Sequence, residues 1–218
     1  MKICRECGTP CAEETVFCYV CGAKFRMNIS TIDRGLVSEY FATNADNVEV
    51  VLVSPAILIT DKDISDIYSV LPLLEESAKN GRQLLIIANS YGEAVINTLV
   101  VNKLRGVLAC AAIKAPGFGE SRKEMLKDIA ILTGGQVISS DTGIELKDAS
   151  ITLCGQAKIA RVTKGETVIT DGNGDEQSIK ERISHLKDLI PITQSDWDRE
   201  RIQSRLINLF GLTKSDVL

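Results

Sequence analysis

The sequence contains little of what enzyme active sites are usually built from. His185 is the only histidine among 218 residues, and it lies in a polar segment with no cysteine nucleophile nearby. The serine, aspartate and glutamate residues form no motif typical of a catalytic triad or of a pair of catalytic carboxylates. We therefore interpret His185 as a surface residue, and we expect that the protein is not an enzyme.

Long hydrophobic runs and excess positive charge are also missing. The apolar runs are far shorter than the roughly 18 residues that a membrane-spanning helix needs. The first residues, MKICRECG, contain no apolar region typical of a secretory signal. With a net charge of −4 and a pI of about 5.2, no overall field favours nucleic acid or an anionic membrane. These absences predict a soluble, cytoplasmic protein without a membrane partner.

Motifs for phosphate and calcium binding are incomplete. Gly117 and Gly119 lie near Lys123, but neither the G-x-x-x-x-G-K-[ST] spacing nor a G-x-G-x-x-G run that opens a helix after a strand is present. Residues 171–175 resemble the start of an EF-hand loop, but Glu176 stands at the sixth position, where that loop has glycine. We predict a hairpin turn at 171–174 and no nucleotide or calcium site.

Cysteine, in contrast, is concentrated at one end of the chain. Five of the seven cysteines lie within residues 4–21, where two C-x-x-C pairs are each followed by glycine. Two such pairs can surround one ion in a closed tetrahedral site, and a segment this short needs the metal to fold. We predict a structural Zn²⁺ ribbon over residues 1–26. Its predicted metal ligands are Cys4, Cys7, Cys18 and Cys21.

The role of this ribbon stays open between a stabilising cap, a dimer contact and a tether. Cys11 is the spare cysteine, and we interpret it as a packing residue. The basic side chains of the ribbon are few and are offset by three glutamates. Nucleic-acid binding through the ribbon is therefore a minor alternative, and we expect no nucleic-acid partner.

The most informative stretch of the remaining chain runs from residue 84 to residue 119. Short apolar runs predict buried strands over 84–88 and 107–113, with a helix over 93–105 between them. An earlier helix is predicted over 65–79, capped by Ser65 and closed by Asn80-Gly81. Pro72 in its middle should either bend it or cost a hydrogen bond. Both helices have apolar arcs wider than packing on a sheet requires. Their surplus apolar surface is either covered elsewhere in the chain or open to a partner.

Strand and helix signals also alternate through the rest of the chain. Pro55 interrupts a strand pair over 48–60, because proline cannot lie in a central strand. The other predicted strands are 136–139, 158–163 and 167–170, and the other predicted helices are 121–132, 176–190 and 195–210. The alternation predicts one α/β domain over residues 31–213, preceded by a linker at 27–30.

Six longer segments resemble a known family. They are DRGLVSEYF (33–41), VLPLLEESAKNGRQLLIIA (70–88), TLVVNKLRG (98–106), AAIKAPGFGESRKEMLKDIAILTGG (111–135), GQAKIARVTKGETVITDG (155–172) and SDWDRERIQSRL (195–206). In this order they are similar to the apical domain of GroEL-type (group I) chaperonins, over about residues 30–211. The first 26 residues are similar to the short zinc ribbons of many prokaryotic proteins.

The resemblance implies a three-layer β/β/α swivelling domain with a polypeptide-binding groove between two helices. These helices correspond to residues 65–79 and 93–105, the two with the wide apolar arcs. The groove residues implied by the match are Leu36, Tyr40, Phe41, Leu71, Leu74, Glu75, Ala78, Ile96, Val100, Val101, Asn102 and Arg105. Leu36 and Ile32 stand where the family usually or often has aromatic residues, and Glu39 stands where proline is common.

The comparison with the family also implies what is absent. The equatorial domain with its nucleotide-binding GDGTTT-like element has no counterpart in this sequence, and neither does most of the intermediate domain, which supplies the carboxylate for ATP hydrolysis. We therefore expect no ATP as a cofactor, and no double ring.

The resemblance leads to one main functional expectation and two alternatives. We expect ATP-independent binding of unfolded or partly folded polypeptides, which is holdase-like chaperone activity. One alternative is an adaptor that binds one specific partner, such as a co-chaperonin-like mobile loop or a chaperonin subunit. The other is a regulator in which the ribbon contacts nucleic acid. Binding of defined peptides against generic unfolded chains, and a salt-dependent shift of labelled nucleic acid, distinguish the three.

Overall fold

The computed structural model describes residues 2–3, 8–11, 20, 29–43 and 48–210. All four predicted zinc ligands lie outside these residues, and so does most of the predicted ribbon. Of the predicted linker, residues 29 and 30 belong to a strand. In the described part of the chain, no helix has both the length and the apolar character needed to cross a membrane.

The strands and helices follow each other in mixed order. The strands are β1 (Lys2–Ile3), β2 (Pro10–Cys11), β3 (Ile29–Ile32), β4 (Val50–Val53), β5 (Ala56–Thr60), β6 (Asp63–Ile64), β7 (Leu84–Ala88), β8 (Ser90–Tyr91), β9 (Cys110–Lys114), β10 (Val137–Ile138), β11 (Gly155–Val162) and β12 (Thr167–Gly172). The helices are α1 (Leu71–Lys79), α2 (Glu93–Leu104), α3 (Gly119–Thr133), α4 (Glu176–Ile192) and α5 (Asp196–Asn208). Within the described residues, short 3-10 turns lie at Glu39–Phe41, Ile67–Ser69 and Leu146–Asp148.

An eight-stranded mixed sheet forms the centre of the molecule. Its main path is β3-β12-β11-β5-β7-β9, with β10 paired to β5 and β4 paired to β11. Strands β10, β5, β7 and β9 are parallel to one another, and β3, β12, β11 and β4 pair antiparallel. The predicted α/β class is confirmed.

The parallel strands are apolar throughout because both of their faces are covered. Alternate residues such as Leu58 and Ile86 belong to the core beneath α1 and α2. The residues between them, such as Ile57 and Leu85, belong to a second core with α3 and the antiparallel strands. Each side chain of β5 and β7 is fully or almost fully buried, as expected for a covered parallel sheet.

Helix α1 differs from its prediction at its first residue. The predicted helix over 65–79 begins only at Leu71, after the 3-10 turn Ile67–Ser69. The cap of that turn is Asp66, whose Oδ1 accepts a hydrogen bond from Tyr68 N at 3.1 Å. The predictions that Ser65 caps the helix and that Pro72 lies in its middle, where it would bend the helix or cost a hydrogen bond, are therefore wrong. Pro72 lies in the first turn, where its missing N–H would have had no helical partner.

Two other local predictions need correction. The strand predicted over 107–113 begins at Cys110, because a turn with Gly106 at φ 70° ends α2 and leaves Val107 exposed. The predicted hairpin turn at 171–174 instead joins β12 to α4. Asp175 then caps α4, since its Oδ2 accepts a hydrogen bond from Ser178 N at 2.8 Å. The strand prediction for 84–88 is confirmed, and the helix predicted over 93–105 ends one residue earlier, at Leu104.

Candidate functional site

The predicted groove residues lie on three segments on one side of the parallel strands. Helices α1 and α2 share one core through Leu73 and Leu99. The 3-10 turn Glu39–Phe41 lies against α2, and the chain after it is held by Lys103, whose Nζ donates a hydrogen bond to the carbonyl oxygen of Ala42 at 2.9 Å. Sequence segments separated by more than 60 residues thus meet at one surface.

The twelve predicted groove residues differ widely in exposure. Phe41, Leu74 and Val100 are 0%, 7% and 8% exposed. These three side chains belong to the core beneath α1 and α2. Because they are core residues, they pack beneath the surface and offer almost no accessible apolar area to a partner. Leu36, Leu71, Ala78, Ile96 and Asn102 are half-buried, and Tyr40, Glu75, Val101 and Arg105 are exposed.

The largest exposed apolar area of α2 lies at its carboxyl end. Val101 and Leu104 are 42% and 69% exposed, and Val107, just after the helix, is 56% exposed. We call these three residues the α2 strip. Only Val101 is among the predicted groove residues. The width of the apolar arc on α2 was the signal for Leu104, since residues three apart lie on one side of a helix.

The α2 strip is exposed because α2 is apolar on more than one side. Val95, Leu99 and Val100 are its buried residues and already attach the helix to the sheet. No further apolar contact is needed to hold it there, and the strip adds surface beyond that requirement. Two exposed tyrosines flank the same helix: Tyr40 in the 3-10 turn Glu39–Phe41, and Tyr68 in the turn Ile67–Ser69. Sequence reasoning missed Tyr68, which no periodic pattern indicates.

The ionisable groups beneath this surface are poor candidates for chemistry. Burial raises the pKa of Cys110 to about 12, against a small opposing effect of Lys103. Burial also lowers the pKa of Lys103, although Cys110 acts in the opposite direction. Burial likewise raises the pKa of Cys154 to about 12. Both thiols are therefore protonated at neutral pH, and a protonated thiol is a weak nucleophile.

A metal site is not found where the structure can be inspected. Within the described ranges, no group of three or more histidine, cysteine, aspartate or glutamate side chains is arranged to hold a metal ion. The four cysteines predicted to bind Zn²⁺ lie outside those ranges, so the zinc ribbon stays a prediction.

Comparison with known protein families gives no match: no family model fits the chain. What the surface can do follows from its own side chains. Aliphatic and aromatic groups without a fixed polar pattern can bury apolar groups of a partner, and they select little among partners.

Proposed function

We propose that the protein binds non-native polypeptides without ATP, through the α2 strip and the side chains around it. The observation that carries this proposal is the exposure of Val101, Leu104 and Val107 on a helix whose other side already fills the core. Burying such side chains against a partner contributes about 25 cal/mol per Å² of apolar area. A few residues of an unfolded chain therefore suffice for weak, reversible binding.

The layered arrangement supports the same proposal. Helices α1 and α2 cover one face of the parallel strands, and the antiparallel strands contribute to the core on the other face. From these layers we propose that residues 31–213 form a three-layer β/β/α apical-like domain. In this proposal the ribbon at residues 1–26 carries structural Zn²⁺ and acts as a cap, tether or dimer contact of a cytoplasmic chaperone.

The surface favours promiscuous clients over one specific ligand. Its exposed apolar members are aliphatic or tyrosine side chains, and its charged members Glu75 and Arg105 are exposed on α1 and at the end of α2. An amphipathic helix or an extended segment can each place apolar side chains on such a surface. No buried charge is present in this set to enforce one partner.

Suppression of aggregation tests the proposal directly. A chemically unfolded client is diluted into the full-length protein without nucleotide, and light scattering is followed. The double variant Val101→Glu/Leu104→Glu places two charges on the α2 strip. Both positions are exposed, whereas a charge at Val100 would enter the core and unfold the protein.

The matched control is Val53→Glu/Ile192→Glu. These positions are 58% and 71% exposed, and they are the last residues of β4 and of α4. We expect wild type and control to suppress aggregation and the strip variant to lose suppression while its circular dichroism stays unchanged. Suppression by a folded strip variant at the wild-type level would refute the proposed surface.

A further inference from the structure

A cleft lies on the other side of the parallel strands from α2. It has a volume of about 380 Å³ and is formed by α3, the segment around β10, and α4. This volume lies within the range of about 300–1,000 Å³ that is usual for small-molecule sites. Helix α3 packs into the core opposite to that of α2, so the α2 strip and this cleft are separate surfaces.

The floor of the cleft is apolar. Ala130 and Ile131 of α3 and Val137 of β10 are among its lining residues. Ala130 is 6% exposed, and the other two side chains are half-buried. An apolar body of a ligand can cover these side chains without displacing any protein hydrogen bond from them.

Positive charge predominates among the groups that line the cleft. Three basic side chains, Lys123, Lys127 and Arg182, face two acidic ones, Asp61 and Asp141. Arg182 is engaged from outside the cleft, because its Nε donates to Asp128 at 2.7 Å and its Nη2 donates to Glu124 at 2.6 Å. Lys123 is bound to Asp141 at 2.7 Å. Lys127 is therefore the basic side chain that can most easily exchange its ion-pair partner for a ligand.

Among the described residues, Lys127 forms an ion pair with Glu124, and this pair is of a weak kind. Its Nζ lies 2.9 Å from Glu124 one helical turn away, and the side chain is 58% exposed. Such exposed pairs contribute little to stability, so exchanging Glu124 for a ligand carboxylate costs little. Glu124 keeps its hydrogen bond from Arg182 in that exchange.

We propose that this cleft binds an amphipathic monoanion, an aliphatic or aromatic carboxylate, with the carboxylate at Lys127 and the apolar body on Ala130, Ile131 and Val137. Asp61 and Asp141 disfavour a second negative charge, so phosphate esters and nucleotides fit poorly. The inference is independent of polypeptide binding at the α2 strip.

Methyl NMR of the full-length protein with octanoate tests this site, and octylammonium serves as the matched probe with the same alkyl chain and opposite charge. We expect saturable shifts of the Ile131 and Val137 methyl signals with octanoate. Lys127→Glu should weaken binding about fivefold, the size of a partly exposed charge contact. Lys127→Arg should retain it. The control Lys180→Glu changes a lysine of α4 that is 64% exposed and forms an i,i+4 pair with Glu176. Lys180 is not among the residues that line the cleft.

Three results would overturn the inference. The first is that octylammonium shifts the Ile131 and Val137 signals as strongly as octanoate does. The second is that octanoate shifts only the signals of Val101, Leu104 and Val107 in the α2 strip. The third is that Lys127→Glu binds octanoate as tightly as Lys180→Glu, since equal affinity would show that the head group does not contact Lys127.

Discussion

The α2 strip and the contact between α3 and the helices α4 and α5 are two regions of opposite chemistry. The strip is apolar and exposed, and it holds nothing in place within the described residues. At the other contact, a buried carboxylate, Asp128, accepts hydrogen bonds from Nε of Arg182 in α4 and from Nε of Arg205 in α5, each at 2.7 Å. An apolar surface accepts many partners, whereas a buried charge accepts only the geometry that pairs it.

The charged contact is the more specific of the two regions because each charged side chain in it is hydrogen-bonded to another one. Asp128 is 0% exposed, and the two arginine side chains are 13% and 11% exposed. Glu124 joins them through Arg182 at 2.6 Å. Burial by itself raises the pKa of Glu124, but hydrogen bonds from Arg182 and Lys127 outweigh it and lower the pKa to about 2. These contacts attach helices α4 and α5 to α3 in one defined position.

Removing the buried carboxylate should have the largest effect. Asp128→Ala leaves Arg182 and Arg205 with a lost partner in a buried site, and we expect the free energy of unfolding to fall by about 3–5 kcal/mol. Urea denaturation followed by circular dichroism measures it. The control Asp198→Ala removes an exposed carboxylate that lies 3.7 Å from Arg201 within α5 and should change little. Equal effects of the two variants would show that the buried contact is not what attaches the helices.

Two leucines of α2 separate stability from client binding. Leu99 is 1% exposed and Leu104 is 69% exposed. Leu99→Ala should lower the free energy of unfolding by about 2–5 kcal/mol, because it leaves a cavity in the core. Leu104→Ala should leave stability nearly unchanged and weaken suppression of client aggregation. Denaturation and light scattering on both variants measure the two effects, and a Leu104→Ala protein with unchanged suppression would argue against the strip.

The pH dependence of stability should differ between the two regions. The pKa of Glu124 is lowered from 4.5 to about 2 in the folded protein. Its contribution to stability is therefore complete above about pH 4.5 and is lost as the pH falls towards 2. Because the Glu124 side chain is 32% exposed and partly screened by solvent, we expect an effect on the order of 1 kcal/mol.

Comparison of wild type with Glu124→Gln measures this effect. The difference in unfolding free energy should be largest above pH 5 and should shrink between pH 4.5 and pH 2. A difference that stays constant across this range would mean that ionisation of Glu124 does not stabilise the fold. Leu104→Ala, which removes no titratable group, should show no such change relative to wild type.

Much of the fold was predictable because its signals are local. The apolar runs of β5 and β7 reflect burial on both faces, and the sequence pattern shows this directly. The start of α1 was not predictable in the same way, because Pro72 is compatible with a bent helix as well as with a first turn. The pairing of Asp128 with Arg182 and Arg205 was missed, since these residues are 54 and 77 positions apart from Asp128 and no local pattern connects them.

The candidate surface was also predictable only in part. The periodicity of α2 is enough to show that this helix is more apolar than packing on a sheet requires, because periodicity depends only on neighbours along the chain. Which apolar residues of the surface remain available is settled when the chain folds. Phe41 and Val100 are covered, while Leu104 and Tyr68 are exposed. Exposure depends on segments that are distant in the chain and meet only when it folds, and this is why pattern alone does not assign it.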